Sequence, residues 1–559
     1  MGPKLEIPGA EKLPTLPAIP TLSTLLALPI VVKVLNHPSL QNLPDVSNVR
    51  KIPRAHIAAI AFIISALSLI ILSPWSWEMD GSSWSHHRHK YRDEDRKFAL
   101  VVPATSPSPD LCKTVVTALA LGYPSPVIIN WGIDHRLISH WNGGHNLPKI
   151  PGIVDYLDAV LHPNAHPSER LSEDDIILMV DGHDVWFQLP AQIMLERYHR
   201  INKEANERLR KQWNKKGKMP MQQTILVATG KKCYSGLADK GINIQCEKWP
   251  ESPERKDLYG PDTEKDGEHW QTNRPRWING GVYIGPAGDM RRLFRRSLFT
   301  MQAGIGEGIK MHSEQALTGE VVVEQEIFRK FQREKGRPRR GMRDMLDKKL
   351  EYGIGLDYGQ QISMQTQWTQ DDEGRDHGAF VTLGDQKLID EHSAALGISP
   401  TRLKGLPEDI KNAENPLELI QPDADWNNMS LYADFFLETV PVILHHNGMH
   451  GLKRRRSTWW DKPWYYHHLR ELLKMQIQKK GEPEDPLATV KTENGRVRYW
   501  GVSAEYESRY PRQMVDNAFG RLDKMKLGEI CRHTKKAPQG PNQEWWEEVF
   551  RDTEGPWGH

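Results

Sequence analysis

One apolar run stands out near the amino end: AHIAAIAFIISALSLIILSPWSW, residues 55–77, contains no Asp, Glu, Lys or Arg. Its dense part is Ile57 to Leu72, and with its less apolar ends the helical rise carries it across roughly 30 Å of hydrocarbon. Hydrophobic character all the way round favours a membrane span over a core helix with one buried stripe. Arg50, Lys51 and Arg54 precede the run, whereas Glu78 and Asp80 follow it. The positive-inside rule then places a tail of residues 1–54 in the cytoplasm and the large carboxyl portion across the membrane, single-pass and type II. Residues 78–96, rich in Ser, His, Arg and Asp, read as a solvated stem. Asn428-Met429-Ser430 is a glycosylation acceptor compatible with that side.

From Lys97 onward the pattern changes to short continuous apolar runs separated by turn residues and by stretches of helical spacing. FALVVP at 98–103, Val127–Ile129, IILMV at 176–180, TILVA at 224–228 and the Val-Ile-Leu run from Val442 read as buried strands. Ile153–Val160 and residues 191–210 read as helices. In WINGGVYIGPAGDMRRLF at 277–294, a strand through Tyr283 and Ile284 precedes a helix that starts after Pro286. Together these elements predict an α/β domain with a mixed or mostly parallel sheet over residues 97–465. Residues 251–276 and 366–425 are polar connections long enough to form an acceptor wall or lid. The remainder, 466–559, predicts a partly helical, aromatic extension that wraps the domain or mediates assembly, into a homo-oligomer for instance.

Charge adds an exclusion. Lys plus Arg number 74 against 72 Asp plus Glu, so nothing pulls the chain as a whole toward nucleic acid, and no nucleic-acid partner is expected. Four cysteines are too few for a disulfide-built scaffold and too scattered for a Cys-rich zinc module. Cys233 and Cys246 flank one loop-like segment and can pair if the domain faces an oxidising lumen.

The candidate chemistry sits at strand ends. After IILMV come Asp181, Gly182, His183 and Asp184, where ligands collect in open α/β sheets. Such a pair either caps a turn and is solvated, or brings two carboxylates onto one hard divalent ion that can neutralise a diphosphate. Far downstream, VILHHNGMHGLKRR at 442–455 again leads from a strand into a polar cluster, and a histidine there can complete a Mn²⁺ site. The basic residues from Lys453 onward either meet phosphates or solvate the loop. Gly280-Gly281 permits backbone geometry or a close approach that a Cβ would resist.

Taken in order, VDGHDVWF at 180–187, CEKWP at 246–250, INGGVYIG at 278–285, HSEQ at 312–315, LDYGQQISMQ at 356–365 and HHNGMHGLK at 445–453 carry a family resemblance. From about Lys97 to Lys462 the chain resembles the glycosyltransferase domain of procollagen lysyl hydroxylases and a group of fungal membrane-anchored glycosyltransferases. The resemblance implies a type A nucleotide-sugar glycosyltransferase fold, with Asp181 and Asp184 as metal carboxylates and His445 as the metal histidine. His446 stands where that family usually has glycine. By the same resemblance Asn447, Gly448 and Lys453 face the diphosphate, and Trp141, Gly143, Gly144 and Lys149 form a segment near the donor, with Lys149 as a phosphate contact. Asn279, Gly280 and Gly281 belong to the donor site, and Trp249 is a wall for the sugar or acceptor. Glu314, in a segment where the family has an acidic run before Gln, and Asp357 are the carboxylates expected to touch donor sugar or acceptor.

The implied activity is metal-dependent transfer of a hexose from a nucleotide sugar to a hydroxyl of a glycan or glycoprotein in the Golgi or endoplasmic reticulum lumen. The implied donor is a UDP-hexose and the implied ion Mn²⁺, with Mg²⁺ as the substitute. The competing reading is a catalytically inactive, membrane-tethered glycan-binding or scaffold protein. No room remains for the oxygenase domain of the lysyl hydroxylases.

Overall fold

The computed structural model describes residues 94–133, 144–233, 245–265, 270–334, 350–370, 374–448, 450–478, 485–502, 509–514, 522–534 and 544–556. The expected tail, the span 55–77 and nearly all of the stem lie outside these residues, as do Trp141 and Gly143. Among the described residues no helix is long and apolar enough to cross a membrane.

A central mixed sheet organises the chain. The strands that build its middle are β1 (Glu94–Pro103), β2 (Val127–Ile129), β3 (Ile176–Val180), β5 (Ile225–Gly230), β6 (Trp277–Pro286) and β7 (Ile354–Asp357), with β4 (Val185–Phe187) diverging after β3. The order across the sheet is β2-β1-β3-β6-β5-β7. β1 runs parallel to β2 and β3, β6 is antiparallel to both β3 and β5, and β5 is parallel to β7.

The continuous apolar runs are explained by two cores, one on each face. Phe98, Leu100, Val102, Ile176 and Leu178 enter one, while Ala99, Val101, Ile177 and Met179 enter the other. A strand covered on both sides loses the polar alternation of a half-exposed strand. Helices α1 (Pro109–Ala120) and α3 (Ala191–Trp213) pack on the first face; α2 (Lys149–Val160), α4 (Ala287–Gly306) and α5 (Glu314–Arg333) pack on the second. Ser108 caps α1 by accepting the Leu111 N–H at 3.0 Å.

Two smaller sheets flank the main one. β8 (Ser363–Gln365), β4 and β11 (Ile443–His445) form a sheet in the order β4-β11-β8, and β9 (Gly378–Thr382) pairs antiparallel with β10 (Ser430–Asp434). The connection 366–425 is thus a folded insertion, with Leu383, Ile389, Ile398 and Leu403 in the first core and helix α6 (Gln386–Ala395) capped by Asp385.

The carboxyl portion departs from the expected helical extension. β12 (Ala488–Thr492), β13 (Gly495–Gly501), β14 (Arg512–Met514) and β15 (Leu522–Lys524) all join the central sheet, β13 beside β1 and β14 beside β2. Residue 465 is therefore no boundary in the sheet. Ala488, Val490, Val497 and Tyr499 alternate with Thr489, Lys491, Arg496 and Arg498 and bury one face only, a pattern short enough to be lost among its polar neighbours. β13 also explains why β1 starts at Glu94, before the expected strand start at Phe98, since Glu94–Phe98 pair with Val497–Gly501. Helices α7 (Leu469–Gln478), α8 (Leu527–Cys531) and α9 (Trp545–Val549) do occur. A Cys112–Cys531 disulfide ties α8 to α1, and Lys113 reaches Glu548 at 2.9 Å. Cys233 and Cys246 are also bonded.

Candidate metal centre

β3 ends at Val180, and the chain turns through Asp181–Asp184 into β4. β4 lies antiparallel to β11 in a register that sets Val185 opposite His445. That register carries an imidazole from 261 positions downstream to the acidic turn: the ligand atoms of Asp181, Asp184 and His445 all lie within 4.8 Å of one another. His445 Nε2 is 3.3 Å from Asp184 Oδ1 and 3.6 Å from Asp181 Oδ2. The backbone closes the turn as well, with the Asp181 N–H donating to Gly281 O at 2.9 Å and the His446 N–H to Asp184 O at 2.6 Å.

The imidazole is oriented by β6. Asn279 Oδ1 accepts the Gly281 N–H at 3.1 Å, which fixes that atom as an acceptor, and it lies 3.1 Å from His445 Nδ1. Nδ1 therefore carries a proton and donates, which turns Nε2 toward the carboxylates. Nε2 is buried and has no hydrogen-bond partner among the described residues. An imidazole nitrogen with no hydrogen bond of good geometry, set against two carboxylate groups, offers oxygen and nitrogen ligands of the kinds divalent cations take. The cluster is thus capable of coordinating a divalent metal ion.

The glycine pair expected to admit a ligand instead admits two side chains. A Cβ on Gly281 would lie 2.1 Å from His445 Cε1, and one on Gly280 would lie 2.9 Å from Glu314 Oε1. Gly280 N–H donates to Gln315 Oε1 at 3.0 Å, which fastens β6 to the start of α5.

Lys149, the first residue of α2, donates to Asp181 Oδ1 at 2.5 Å and to Glu314 Oε1 at 2.8 Å. An ammonium at a helix N-terminus opposes the dipole, and the two carboxylates offset that cost. Burial disfavours its charge, yet Asp181 and Glu314 hold Lys149 above the ordinary lysine range. Burial lifts Glu314 above the usual carboxylate range, with Lys149 acting against the lift. Asp184 moves the other way: burial disfavours ionisation, but the His445 imidazole when protonated, with Lys149 and Arg456, holds its carboxyl below the usual range.

The two histidines have opposite environments because consecutive residues at the strand end face opposite ways. His446 is fully buried, 4.0 Å centroid to centroid from Trp186, with Nδ1 3.2 Å from Thr366 Oγ1. Burial pushes its pKa far down, so it is a neutral core residue.

The other expected residues divide. Asn447 is close by but spends its amide on Gln365 Oε1 at 3.1 Å. Gly448 has φ +111°, a backbone conformation that requires glycine. Lys453 is half-buried; its neighbours Arg455 and Arg456 are bound into the fold, Arg455 to Asp376 at 2.5 Å and Arg456 to Asp110 at 2.8 Å. Trp249 does not wall a cleft: at 3% exposure it packs in the second core. Asp357 also departs from expectation. Its two carboxylate oxygens accept the N–H groups of Gln361, Ile362 and Ser363 at 2.8–3.1 Å, which shapes the turn into β8. Burial raises its pKa to about 6, against those hydrogen bonds. Its oxygens are committed to three backbone N–H groups of one turn, so in this structure the carboxylate shapes the chain rather than facing the Asp181–Asp184 turn. Gln315, the last residue of HSEQ and not among the expected site residues, also belongs here, since it follows the N-cap Ser313 and Glu314 and its amide oxygen accepts the Gly280 N–H.

No family model matches the chain, and no curated protein matches it.

Proposed function

We propose that this chain is a metal-dependent glycosyltransferase of the type A nucleotide-sugar fold. It transfers a hexose from a nucleotide sugar, UDP-linked, to a hydroxyl of a glycan or glycoprotein. One observation carries the reading: an acidic turn after a central strand and a distant imidazole converge on one point, with the imidazole nitrogen left unpartnered. Asp181, Asp184 and His445 would hold Mn²⁺ or Mg²⁺, which supplies Lewis-acid neutralisation of a departing diphosphate.

The remaining steps belong to the protein's own groups. Lys149 adds a second positive charge at the acidic turn, and Glu314 is the carboxylate beside it with a raised pKa. The acceptor oxygen forms a bond to the anomeric carbon while the carbon–phosphate-oxygen bond breaks and its electron pair leaves with the nucleotide diphosphate. The hydroxyl proton goes to Glu314 if attack is from the opposite face, or to the leaving phosphate if it is from the same face. Asn279 and Gly281 act by seating His445.

Two disulfides support placement of the domain in an oxidising lumen, as a Golgi or endoplasmic reticulum protein anchored by residues 55–77. The full-length protein, given UDP-hexoses and Mn²⁺, should release or transfer the sugar, and Asp181→Asn with Asp184→Asn should abolish this. Undiminished activity in the double variant would defeat the metal assignment. Donor binding without turnover across a broad acceptor panel would favour the inactive glycan-binding or scaffold reading.

A further inference from the structure

A second concavity lies apart from the acidic turn, where the insertion after β8 meets the aromatic run that follows His446. Tyr432 on β10 stands directly opposite Phe380 on β9, with ring centroids 5.4 Å apart at 69°. Trp459 forms the third side, 5.6 Å from Phe380 at 88° and 5.4 Å from Tyr432 at 30°. Gly378 allows the Tyr432 ring against β9, because a Cβ there would come within 2.8 Å of Tyr432 Cζ. Phe380 and Trp459, with Asp376, Ser430 and Lys462, line an open cleft of about 480 Å³, and Tyr432 is fully buried against them. Small-molecule sites occupy roughly 300–1,000 Å³. Phe380 and Trp459 are half-buried and Lys462 is exposed, so the walls are open to a ligand.

The charges decide what fits. An aromatic trio with a carboxylate would suit a cation, but Asp376 is already paired with Arg455 at 2.5 Å and accepts the Thr369 hydroxyl at 3.0 Å. Arg455 and Lys462 already lie 4.3 and 5.5 Å from the Trp459 centroid. A cationic ligand would meet the Lys462 ammonium and a carboxylate whose charge Arg455 already neutralises, although its second oxygen can still accept a hydroxyl. What remains is a mainly polar lining, with a hydroxyl, an acceptor and an ammonium, around the exposed parts of the Phe380 and Trp459 rings. That is the complement of a pyranose, which has an apolar C–H face and a rim of hydroxyls.

We propose that this cleft is a carbohydrate subsite that takes one hexopyranose ring of a glycan, separate from the metal centre; its role as an acceptor anchor rests on the glycosyltransferase reading. The two sites meet through β11. His445 faces the acidic turn, and His446 behind it lies 5.9 Å centroid to centroid from Trp459. A glycan ring in the cleft is therefore held away from the reacting hydroxyl and selects acceptors by a neighbouring unit.

The test is titration of the full-length protein with mannotriose, cellotriose and galactotriose, without metal or donor, read by tryptophan fluorescence and saturation-transfer NMR. At least one trisaccharide should bind. Phe380→Ala and Lys462→Ala should each weaken that binding, the former about tenfold, without lowering the thermal midpoint appreciably. Asp181→Asn with Asp184→Asn should bind like the parent protein. No binding by any of the three, or binding indifferent to both cleft variants, overturns the proposal. So does Phe380-dependent binding of tetramethylammonium in place of sugars. Intact sugar binding in a protein that never transfers would confirm the cleft while overturning the catalytic reading.

Discussion

Replacing Gly281 by alanine tests the proposed metal centre without replacing any of its three candidate ligands. The added methyl would lie 2.1 Å from Cε1 and 2.6 Å from Nδ1 of His445. Ordinary contact needs about 3.4 Å or more, so the imidazole must retreat by more than an ångström. It has little room to do so, because Asn279 holds Nδ1 on one side and β11 is locked between β4 and β8 on the others. Overpacking of this kind costs about 1–3 kcal/mol of stability. Displacing an imidazole from its orienting partner lowers metal affinity by about 10–100-fold. The assay is Mn²⁺ binding by electron paramagnetic resonance, with thermal unfolding to show that the variant is folded. Gly280→Ala is the control, since its methyl presses on Glu314 Oε1 at 2.9 Å and should leave Mn²⁺ affinity within a few-fold of the parent. A folded Gly281→Ala protein that binds Mn²⁺ as tightly as the parent would refute the placement of His445 in the site.

Lys149→Met leaves Asp181 and Glu314 without their shared cation, and should destabilise the protein by about 3 kcal/mol, partly recovered on adding Mn²⁺; a larger Mn²⁺-induced rise in thermal midpoint than in the parent checks this. His199, whose pKa burial pushes down to about 4, should make stability fall as the pH drops from about 6.5 to 4. The unfolded chain takes up the proton first in that window, which costs roughly 2–3 kcal/mol by pH 4.5; urea midpoints of the parent should drop across it, and those of His199→Gln should drop less. Cys531→Ser removes a link between residues 419 apart and should cost about 2–5 kcal/mol, with α8 and α9 becoming the first protease-sensitive segment in limited digestion.

Much of the architecture could be read along the chain, because strands buried on both faces leave continuous apolar runs that polar loops punctuate. FALVVP, IILMV and the run into His445 all became the strands they suggest, and the acidic turn fell at a strand's carboxyl end. β12 to β15 were not legible, since strands of three to seven residues with charges on one face resemble solvated loops until a neighbouring strand supplies their hydrogen bonds. Local chemistry misled at Trp249 and Asp357, whose side-chain types suit a ligand but whose surroundings are core and backbone.

The order and identity of the donor groups are properties of the sequence alone: two carboxylates three residues apart, a histidine far downstream, and a glycine pair between them. Which histidine meets the two carboxylates, what the glycines admit and where Lys149 puts its charge were decided only in three dimensions. The β4–β11 register sets His445 against Asp184 and turns His446 into the core. The close approach of β6 makes Gly281 the seat of an imidazole. Such facts depend on distances between segments hundreds of residues apart, and a linear pattern carries no record of those distances until the sheet has closed.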